Sequence, residues 1–390
     1  MNIIPYAKQS ISKNDIRSVI KVLKSDFITQ GPKIVEFENL VKKYVKVNYA
    51  VAVNSATSAL HIACLAIGLK KNDYLWTSPN SFVASANCGL YCGAKIDFVD
   101  IDLDTFNICI KKLETKLKKA KKQNKIPKIL VLVHFAGNPC DLKKIFFLSK
   151  KYQFKIIEDA SHAMGSNYDK YRVGKSNYSD IAVFSFHPIK IITTGEGGMA
   201  VTNNERYYKK LLSLKNHGII KNIYSNHKNK KASWNYKQTD LGFNYRMNDI
   251  SAALGVSQIK KINKFIKIRN QIASYYLKNL KDLPIKFQII KKSDRSAYHL
   301  FIIIVDNKLT KVSRDEIYYK LKSKKINTNV HYIPIHTHPV YKKLGFKNRN
   351  FPNSLDYSKK SLSLPIYPGL KKIEINKIIN EIKKIFKYKK

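Results

Sequence analysis

The stretch from Asp180 to Thr202, DIAVFSFHPIKIITTGEGGMAVT, constrains the fold of this chain more than any other. It opens with an apolar run, residues 181–186, whose length and composition predict a buried strand rather than a helix. A second short apolar run, residues 199–201, follows a glycine-rich turn. Lys190 therefore lies on a loop between two predicted strands. Because burial disfavours an ammonium ion, a lysine held in a pocket there loses its proton more readily and can act as a nucleophile.

Lys190 taken alone is better explained as a solvated surface residue, because the chain is rich in lysine. A second stretch upstream, KIIEDASHAMGS, changes that interpretation. There a strand-like run ends in Glu158 and Asp159, and His162 follows three positions later. Asp159 precedes Lys190 by 31 positions. The carboxylate thus ends one predicted strand, and the lysine lies just after the next predicted strand. The pair predicts one site at one edge of a sheet.

Together the two stretches resemble the sugar aminotransferases of the DegT type, and SFHPIKIITTGEGG is similar to the members that aminate nucleotide sugars at C4. The resemblance runs from about Tyr6 to past Pro365. It implies an α/β chain of the PLP-dependent transferase fold type I, with a large, mostly parallel sheet domain (1–255) and a smaller α/β C-terminal domain (256–390). It implies pyridoxal 5′-phosphate (PLP) as cofactor, with two catalytic residues. Lys190 holds the aldehyde carbon, and Asp159 pairs with the pyridinium nitrogen.

The pattern of elements agrees with that architecture. Predicted strands and helices alternate over residues 49–202, which is typical of a mostly parallel sheet with helices on both faces. Ser81 is expected to cap a helix that runs through Tyr91. Residues 258–280 predict one long helix that leads to the smaller domain, and residues 297–305 predict a strand within it.

A phosphate site is predicted at NSATSALH, residues 54–61, where a strand runs through small residues into a helix. The free N–H groups at a helix N-terminus and the helix dipole both favour an anion, although ordinary N-capping explains the same pattern. The resemblance assigns this anion to the phosphate of PLP. The cofactor-binding residues that it implies, besides Lys190 and Asp159, are Ala56, Thr57, Phe82, His162, Ser185 and Asn244.

Each of these assignments has a structural alternative. Phe82, which is expected to stack on the pyridine ring, would be unremarkable as a core residue. His162, expected near the phenolic oxygen of PLP, also suits a helix cap or the core. Asn244 lies in DLGFNYRMNDISAA and would otherwise be a turn residue. The resemblance implies that Asn244 reaches the cofactor phosphate of a neighbouring subunit, and hence a homodimer with shared active sites.

The resemblance also implies a substrate pocket, built from an N-terminal loop and from VHYIPIHTHP, residues 330–339. Three histidines in the second stretch raise a metal site as an alternative. His336 and His338 alternate along an extended chain, but His331 does not keep that period and no carboxylate is near, so no metal is predicted. The substrate residues implied are Tyr6, Asp26, Phe27, Ile28, Thr29, Val330, His331, Tyr332 and Ile333.

The formal net charge of +45 raises the question of a nucleic acid partner. Only eight of the 72 basic residues are arginine, which leaves 64 lysines, and these are spread along the chain. Nucleic-acid sites favour arginine for bidentate contacts. Lysine, asparagine, isoleucine and tyrosine share A/T-rich codons, so we interpret the charge mainly as genome composition and predict no nucleic acid partner. A positive field would still attract an anionic substrate.

No apolar run reaches 18 residues, and the N-terminus lacks the pattern of a signal peptide, so we predict a cytoplasmic protein without a membrane contact. Five scattered cysteines, an odd number, agree with a reducing compartment and buried thiols. Two of them, Cys88 and Cys92, are four positions apart, but no second pair of metal ligands accompanies them.

The resemblance implies transfer of an amino group from L-glutamate to C4 of a UDP-linked 4-keto-6-deoxy-N-acetylhexosamine. The product expected is UDP-4-amino-4,6-dideoxy-N-acetyl-β-L-altrosamine, a precursor of pseudaminic acid for flagellin glycosylation. A different sugar or amination at C3 stays open. A sugar dehydratase of the same fold is disfavoured, since those relatives carry His in place of Lys190. A non-catalytic regulatory or basic nucleic-acid-binding protein on this fold is the alternative from another class.

Overall fold

The computed structural model describes residues 3–175, 177–221 and 236–387. Strands and helices alternate over residues 32–159, as the sequence predicts for most of residues 49–202, and four further strands then precede the next helix. The strands are β1 (Tyr49–Val53), β2 (Tyr74–Thr77), β3 (Lys95–Phe98), β4 (Ile129–Val133), β5 (Lys155–Asp159), β6 (Asn167–Tyr168), β7 (Tyr171–Arg172), β8 (Ile181–Ser185), β9 (Gly198–Thr202), β10 (Ile219–Lys221), β11 (Tyr236–Gln238), β12 (Ile285–Phe287), β13 (Phe301–Val305) and β14 (Ser361–Leu364).

Helices cover the sheets and link them. They are α1 (Lys13–Leu23), α2 (Pro32–Val45), α3 (Ala56–Ile67), α4 (Ala84–Tyr91), α5 (Ile110–Lys122), α6 (Leu142–Tyr152), α7 (Glu205–Leu214), α8 (Asp249–Ile259), α9 (Ile262–Leu280), α10 (Arg314–Ser323), α11 (Pro339–Lys343), α12 (Pro352–Lys360) and α13 (Lys372–Lys387).

A seven-stranded sheet in the order β1-β9-β8-β5-β4-β2-β3 forms the centre of the large domain. Four neighbouring pairs are parallel, and β9 is antiparallel to both β1 and β8. Its central strands are apolar on both faces because helices cover both, and β4 (ILVLV) is buried at every position. The mostly parallel α/β sheet predicted from the sequence is confirmed.

The strand–loop–strand unit around Lys190 forms as predicted. β8 runs through the middle of the sheet, the chain turns through residues 186–197, and β9 returns antiparallel between β8 and β1. The return places the lysine loop beside the end of β1, where α3 begins.

The C-terminal part has its own antiparallel sheet, in the order β12-β13-β14. Its core holds Tyr276 from α9 and five isoleucines of α13, among them Ile378 and Ile382. Arg269 of α9 is buried beside it, and its Nη1 donates to the carbonyls of Tyr298, His299 and Ile366 at 2.9–3.3 Å. These bonds fasten α9 to both chain segments that flank the small sheet. The boundary at residue 255 stays a prediction.

Three predicted element boundaries were wrong. Residues 258–280 are not one helix, because α8 ends at Ile259 and α9 begins at Ile262. The buried stripe continues across that joint, so the hydrophobic period gave no sign of it. Ser81 does not cap α4, which begins at Ala84 with Val83 as its N-cap. The strand predicted over 297–305 begins only at Phe301.

Candidate active site

A cavity of about 480 Å³ lies where β4, β5 and β8 end and α3 begins. The carboxyl ends of parallel strands are where α/β sheets bind ligands. Its lining comes from seven separate parts of the sequence, including the two stretches that carry the resemblance. The lining residues that sequence analysis predicted are Tyr6, Ala56, Thr57, Phe82, Asp159, His162, Ser185, Lys190, Val330, His331 and Tyr332.

Lys190 is half-buried in the turn after β8, and it lines this cavity. Its backbone N–H donates to the carbonyl of His187 at 2.9 Å, which fixes the turn. Burial removes water from the ammonium group and lowers its pKa to about 8, although the Asp159 carboxylate opposes that shift. A larger fraction of Lys190 is therefore the neutral, nucleophilic amine near neutral pH than of a solvated lysine.

Asp159 is buried at the carboxyl end of β5, and hydroxyl groups hold both of its oxygens. The Ser85 hydroxyl donates to Oδ2 at 2.6 Å, and the Ser161 hydroxyl donates to Oδ1 at 2.6 Å. The Ser85 hydroxyl also forms a hydrogen bond of 2.7 Å with the Ser81 hydroxyl. Hydrogen bonds from the two hydroxyls fix the orientation of the carboxylate.

His162 is buried, and the backbone decides which of its ring nitrogens carries hydrogen. Nδ1 accepts from the backbone N–H of Ala136 at 3.3 Å, so Nε2 carries the proton and lies 3.1 Å from the Tyr332 hydroxyl. Burial lowers the pKa of His162 well below its usual value, and the charge of Lys190 lowers it further. His162 is therefore a neutral hydrogen-bond donor on the cavity wall.

The N-terminus of α3 forms another wall of the cavity, through Ser55, Ala56 and Thr57. The Ser55 side chain caps the helix by accepting the N–H of Ser58 at 3.1 Å. The Ser58 hydroxyl is 2.7 Å from Asn54 Oδ1 and does not line the cavity, whereas Thr57 does.

Gly198, the first residue of β9, lets that strand approach the same helix start. A Cβ at this position would lie 2.4 Å from the carbonyl carbon and oxygen of Ser55 and from the nitrogen of Ala56. These are backbone atoms that cannot move aside as a flexible side chain can. The glycine therefore permits the close contact between the lysine hairpin and the helix terminus.

Aromatic rings form the outer part of the cavity. Phe82 is 58% exposed, with its ring centre 6.3 Å from that of Tyr332. The exposed ring is not the core residue that the alternative interpretation required. The Tyr6 ring lies 5.6 Å from the ring of His331, whose Nδ1 is 2.9 Å from the Ser363 hydroxyl.

Six predicted residues lie outside this cavity. Thr29 pairs with Asn248 and the carbonyl of Ile28 accepts from the N–H of Asp249, so the N-terminal loop is fixed to the start of α8. Asn244 pairs with Asn216. All six are exposed on the surface of the chain, so the side chains of one protomer do not bring them to the lysine: Asp26, Phe27, Ile28, Thr29, Asn244 and Ile333.

The described residues contain no group of three or more His, Cys, Asp and Glu side chains placed to hold a metal ion. Of the histidines in the 330–339 stretch, His336 is buried against Phe351, 4.7 Å between ring centres, and His331 bonds to a serine. Across the same part of the chain, no helix combines the length and apolar character needed to cross a membrane.

Residues 9–383 match the DegT/DnrJ/EryC1/StrS aminotransferase family. The chain belongs to this family. It is 38% identical over 366 residues to the UDP-4-amino-4,6-dideoxy-N-acetyl-beta-L-altrosamine transaminase of Campylobacter jejuni, covering 93% of this chain and 92% of that one.

Two solved structures are similar along their whole length. Helicobacter pylori PseC, an aminotransferase involved in the biosynthesis of pseudoaminic acid, has a TM-score of 0.88 at 31% identity, over 99% of this chain and 100% of its own. The PLP form of the putative sugar aminotransferase Spr1654 from Streptococcus pneumoniae has a TM-score of 0.89 at 28% identity, over 99% of each chain. The chain is accordingly a PLP-dependent sugar aminotransferase, as the sequence predicts.

The cavity of this family member fits PLP. Its size lies within the range of small-molecule sites, and it offers an amine, a buried carboxylate and a helix N-terminus on separate walls. Lys190 would hold the aldehyde carbon, Asp159 would pair with the ring nitrogen, and the N–H groups of Ala56 and Thr57 would bind the phosphate. Ser185 lies on the same wall as the lysine loop and suits the phosphate as well.

Sequence reasoning missed several residues of the site. Ser161 follows Asp159 by two positions, so the motif that revealed the aspartate held the signal for its hydrogen-bond donor. Ser85 gave none, because 74 positions separate it from Asp159. Ser55, Asn329, His187 and Glu196 also line the cavity. His187 Nε2 and Glu196 Oε1 are 3.9 Å apart across the lysine hairpin.

Proposed function

We propose that this chain transfers the amino group of L-glutamate to C4 of a UDP-linked 4-keto-6-deoxy-N-acetylhexosamine. The observation that carries the proposal is the cavity, in which Lys190 with a lowered pKa shares one space with the held carboxylate of Asp159. The similarity to the altrosamine transaminase of Campylobacter jejuni supports the sugar and the carbon. The product on this proposal is UDP-4-amino-4,6-dideoxy-N-acetyl-β-L-altrosamine, an intermediate in pseudaminic acid synthesis.

Bound PLP supplies an electron-accepting ring that stabilises negative charge at the carbon from which a proton is removed. Lys190 would hold the cofactor, and its free amine would act as the base that takes the proton from the donor's α-carbon. The same amine, once protonated, would return a proton at C4′ of the cofactor. In the second half-reaction Lys190 moves protons between the same two positions in reverse, with the sugar carbon in place of the α-carbon.

Asp159 keeps the pyridine nitrogen protonated, and the hydroxyls of Ser85 and Ser161 hold it in place. His162 presents Nε2–H as a neutral donor toward the phenolic oxygen of the cofactor. The exposed ring of Phe82 would stack on the ring of the bound cofactor. Asp159, His162 and Phe82 hold the cofactor and move no substrate proton. Of these four side chains, Lys190 is the one that transfers it.

The sugar nucleotide occupies the outer part of the cavity, beside Tyr6 and the segment from Val330 to Ile333. We propose that the exposed residues Asp26–Thr29 and Asn244 act on the site of a second copy, so that the enzyme is a homodimer with shared active sites. Their exposure and their position away from the lysine of the same chain support this assignment. We place the reaction in the cytoplasm, where all five cysteines remain as free thiols.

The test is a two-stage reaction on the purified holoenzyme. L-Glutamate alone should move the absorbance of the bound cofactor from the visible edge to shorter wavelength and release one 2-oxoglutarate per site. Adding the UDP-4-keto sugar should restore the first spectrum, and NMR of the product should place the amine at C4. Lys190→Ala should abolish both changes.

The outcomes separate the alternatives. A spectral change with glutamate but none with the 4-keto sugar would reject the substrate and leave another sugar or C3 to be screened. An amine found at C3 would reject the carbon assignment. No change with glutamate, together with a steeply salt-dependent affinity for duplex DNA, would favour the non-catalytic alternative.

A further inference from the structure

A second cavity, of about 880 Å³, runs along one face of α9. Its α9 lining begins at Asn263 and ends at Lys278, about four turns further along the helix. Arg172 of β7 and Arg295 line it from outside the helix. We name this cavity the α9 groove. Among the described residues that line them, the α9 groove and the cavity around Lys190 have none in common, and the proposed reaction does not use the groove.

The lining of the α9 groove is basic. Four of the ten described residues that line it are lysine or arginine, and none of the ten is acidic. Composition explains Lys267 and Lys278, because lysine is abundant along the whole chain. It does not explain Arg172 and Arg295, because only eight of the 390 residues are arginine and two of the eight meet in this one groove.

Backbone pairing places the two arginines side by side. Arg172 pairs with Asn167 within the β6–β7 hairpin, and Arg295 pairs with Asn167 from the other side. The N–H groups of Asn167 and Arg295 each donate to the carbonyl of the other at 2.9 Å. Residues directly opposite each other in paired strands project to one face, with Cβ atoms about 5 Å apart. The side chains of the two arginines therefore leave the backbone on the same face, on either side of Asn167.

Each guanidinium is held by a neutral partner and keeps most of its donors. The guanidinium of Arg172 lies 4.0 Å from the ring centre of Tyr44, and its Nη1 donates to the Tyr44 hydroxyl at 2.8 Å. Nη2 of Arg295 donates to the carbonyl of Gly165 at 3.3 Å. A guanidinium has five N–H groups, so both arginines retain donors for a ligand. Because both are already held in place, a ligand loses less free energy in ordering them.

The positive charge of the α9 groove has no acidic counterpart among the described residues. Neither arginine forms an ion pair with a carboxylate there, and neither Lys267 nor Lys278 does so. Asp294 is next to Arg295 in the sequence, but its carboxylate accepts the N–H of Asp169 at 2.8 Å. The groove therefore holds an unbalanced positive charge, which favours an anionic ligand.

Hydrogen bonds locate Arg172 and Arg295 along α9. The Tyr44 hydroxyl that holds Arg172 also lies 3.2 Å from Oδ1 of Asn263, in the first turn of the helix. About two turns further, Nδ2 of Asn270 donates at 3.1 Å to the carbonyl of the residue that follows Arg295. Both arginines therefore lie along the first half of α9.

The two halves of the groove fit the two parts of a nucleotide. Lys267 lies on α9 within the same two turns as the arginines, so three cations meet there. Guanidinium groups match phosphate oxygens with pairs of parallel hydrogen bonds. Further along, Ser274 and Tyr275 offer a hydroxyl and a ring to an organic group. A lone phosphate would leave most of a cavity of about 880 Å³ unfilled, whereas that volume is within the range of sites for larger small molecules.

We propose that the α9 groove is a second anion site, which binds a nucleoside diphosphate. The phosphates lie against Arg172, Lys267 and Arg295, and the nucleoside extends toward Tyr275. This site does not depend on which sugar the catalytic cavity aminates. Free pyrophosphate has the same phosphate chemistry, so the experiments must distinguish it from a nucleotide.

The first experiment counts labelled UDP bound per chain of the holoenzyme by equilibrium dialysis, at a concentration that just saturates the wild type. The wild type should bind two, one in each cavity. The double variant Arg172→Gln and Arg295→Gln should bind one fewer, because loss of charged hydrogen bonds weakens a site about tenfold or more. If the catalytic cavity takes no UDP, the counts become one and zero, so the difference between the two proteins tests the α9 groove separately. Equal counts would overturn the proposal.

The matched control is the double variant Arg206→Gln and Arg349→Gln, which removes the same charge from two exposed arginines that line neither cavity. It should bind as much UDP as the wild type. An equal loss of UDP here would show that binding follows net charge and would overturn the proposal. Cofactor absorbance and thermal unfolding show that each variant is folded. If the groove variant does not fold, Lys267→Gln at an exposed position of α9 replaces it and should weaken one UDP site severalfold. Unchanged binding in that variant would equally contradict the proposal.

The second experiment separates a built site from diffuse attraction. The double variant Arg172→Lys and Arg295→Lys keeps the charge, but lysine cannot form the two parallel hydrogen bonds of a guanidinium. Its groove should therefore bind UDP more weakly than that of the wild type, and full retention of binding would overturn the proposal.

Competition identifies the ligand. Unlabelled pyrophosphate should displace UDP from the α9 groove only at a higher concentration than unlabelled UDP does, because pyrophosphate lacks the nucleoside. Equal potency of the two would reject the nucleoside part of the proposal and assign the groove to free phosphate compounds.

Discussion

At the scale of single residues, the site depends on two opposing influences on one amine. Burial lowers the pKa of Lys190, and the negative charge of Asp159 raises it, with a net value of about 8. The same carboxylate that the cofactor requires therefore keeps the lysine from becoming fully neutral. Hydroxyl donors such as Ser85 orient that carboxylate without adding charge, so they leave this balance in place.

This balance predicts the pH dependence of labelling at Lys190. In the apoenzyme, modification by a limiting amine-reactive reagent should rise with pH through a midpoint near 8, because only the neutral amine reacts. Surface lysines in the same digest, with pKa values of about 10.4, serve as internal controls. Asp159→Asn removes the charge that raises the pKa, so its midpoint should fall below that of the wild type. A Lys190 midpoint equal to that of the surface lysines would contradict the proposed environment.

The sequence predicted these two residues because each lies in a local pattern, a strand end followed by a charged group. It did not predict Ser85, since no local pattern links a serine on α4 to a carboxylate 74 positions away. It also left His162 between two roles. The backbone N–H of Ala136, a residue with a φ of 60°, donates to Nδ1 of His162. That hydrogen bond decides which ring nitrogen faces the cavity.

At the scale of elements, the antiparallel return of β9 builds the site. The strand lies between β8, which leads to the lysine, and β1, which leads to α3. The two predicted halves, lysine loop and helix N-terminus, meet because β9 pairs with both strands. Gly198 stands opposite Val53 at the point of closest approach.

Gly198→Ala should therefore damage the phosphate site and the fold together. The added Cβ meets backbone atoms of Ser55 and Ala56 at 2.4 Å, so β9 or α3 must shift. Overpacking of this kind costs about 1–3 kcal/mol of unfolding free energy. We expect weaker PLP binding in a fluorescence titration and a lower midpoint in urea unfolding.

Gly369→Ala is the control for that substitution. Its Cβ would meet nothing closer than 3.9 Å, and it lies far along the chain from the lysine hairpin. It should leave PLP affinity and stability near those of the wild type. Equal behaviour of the two variants would show that the close approach at Gly198 does not matter.

Elements with strong local signals were predicted to within a residue, and those that depend on tertiary contacts were not. The strand predicted over residues 181–186 is β8, Ile181–Ser185, because an apolar run between Asp180 and Pro188 defines that strand. The joint between α8 and α9 was invisible, because the same apolar face continues through Ile259 and Ile262. α4 begins at Ala84 with Val83 as its N-cap, and the Ser81 hydroxyl, instead of capping the helix, bonds to the Ser85 hydroxyl.

At the scale of the whole molecule, the positive charge is not gathered in the cavity. The chain carries a formal net charge of +45, yet among the described residues that line the cavity Lys190 is the only lysine or arginine. The proposed substrate has a diphosphate, and Lys190 is already committed to the cofactor. Cations for the diphosphate must therefore come from outside this set, which a second protomer at the cavity mouth would satisfy.

The shared site can be tested by mixing two inactive variants. Lys190→Ala lacks the essential amine, and Asn244→Ala lacks the residue that we assign to the neighbouring site. Each homodimer should be inactive or nearly so. In a heterodimer with shared sites, the one intact Lys190 faces the one intact Asn244, so one of its two sites is complete. Co-refolding equal amounts makes half of the dimers heterodimers, so roughly a quarter of wild-type activity should return.

If Asn244 served the site of its own chain, every heterodimer site would carry one defect and mixing would restore nothing. The control is a mixture of Lys190→Ala with Gly369→Ala, in which activity should simply equal the fraction of intact lysine sites, about half. Different affinity tags on the two variants, captured one after the other, show how much heterodimer has formed. Restored activity would also explain why Asn244 and the loop from Asp26 to Thr29 are exposed on a single chain, since their partners would belong to the second copy.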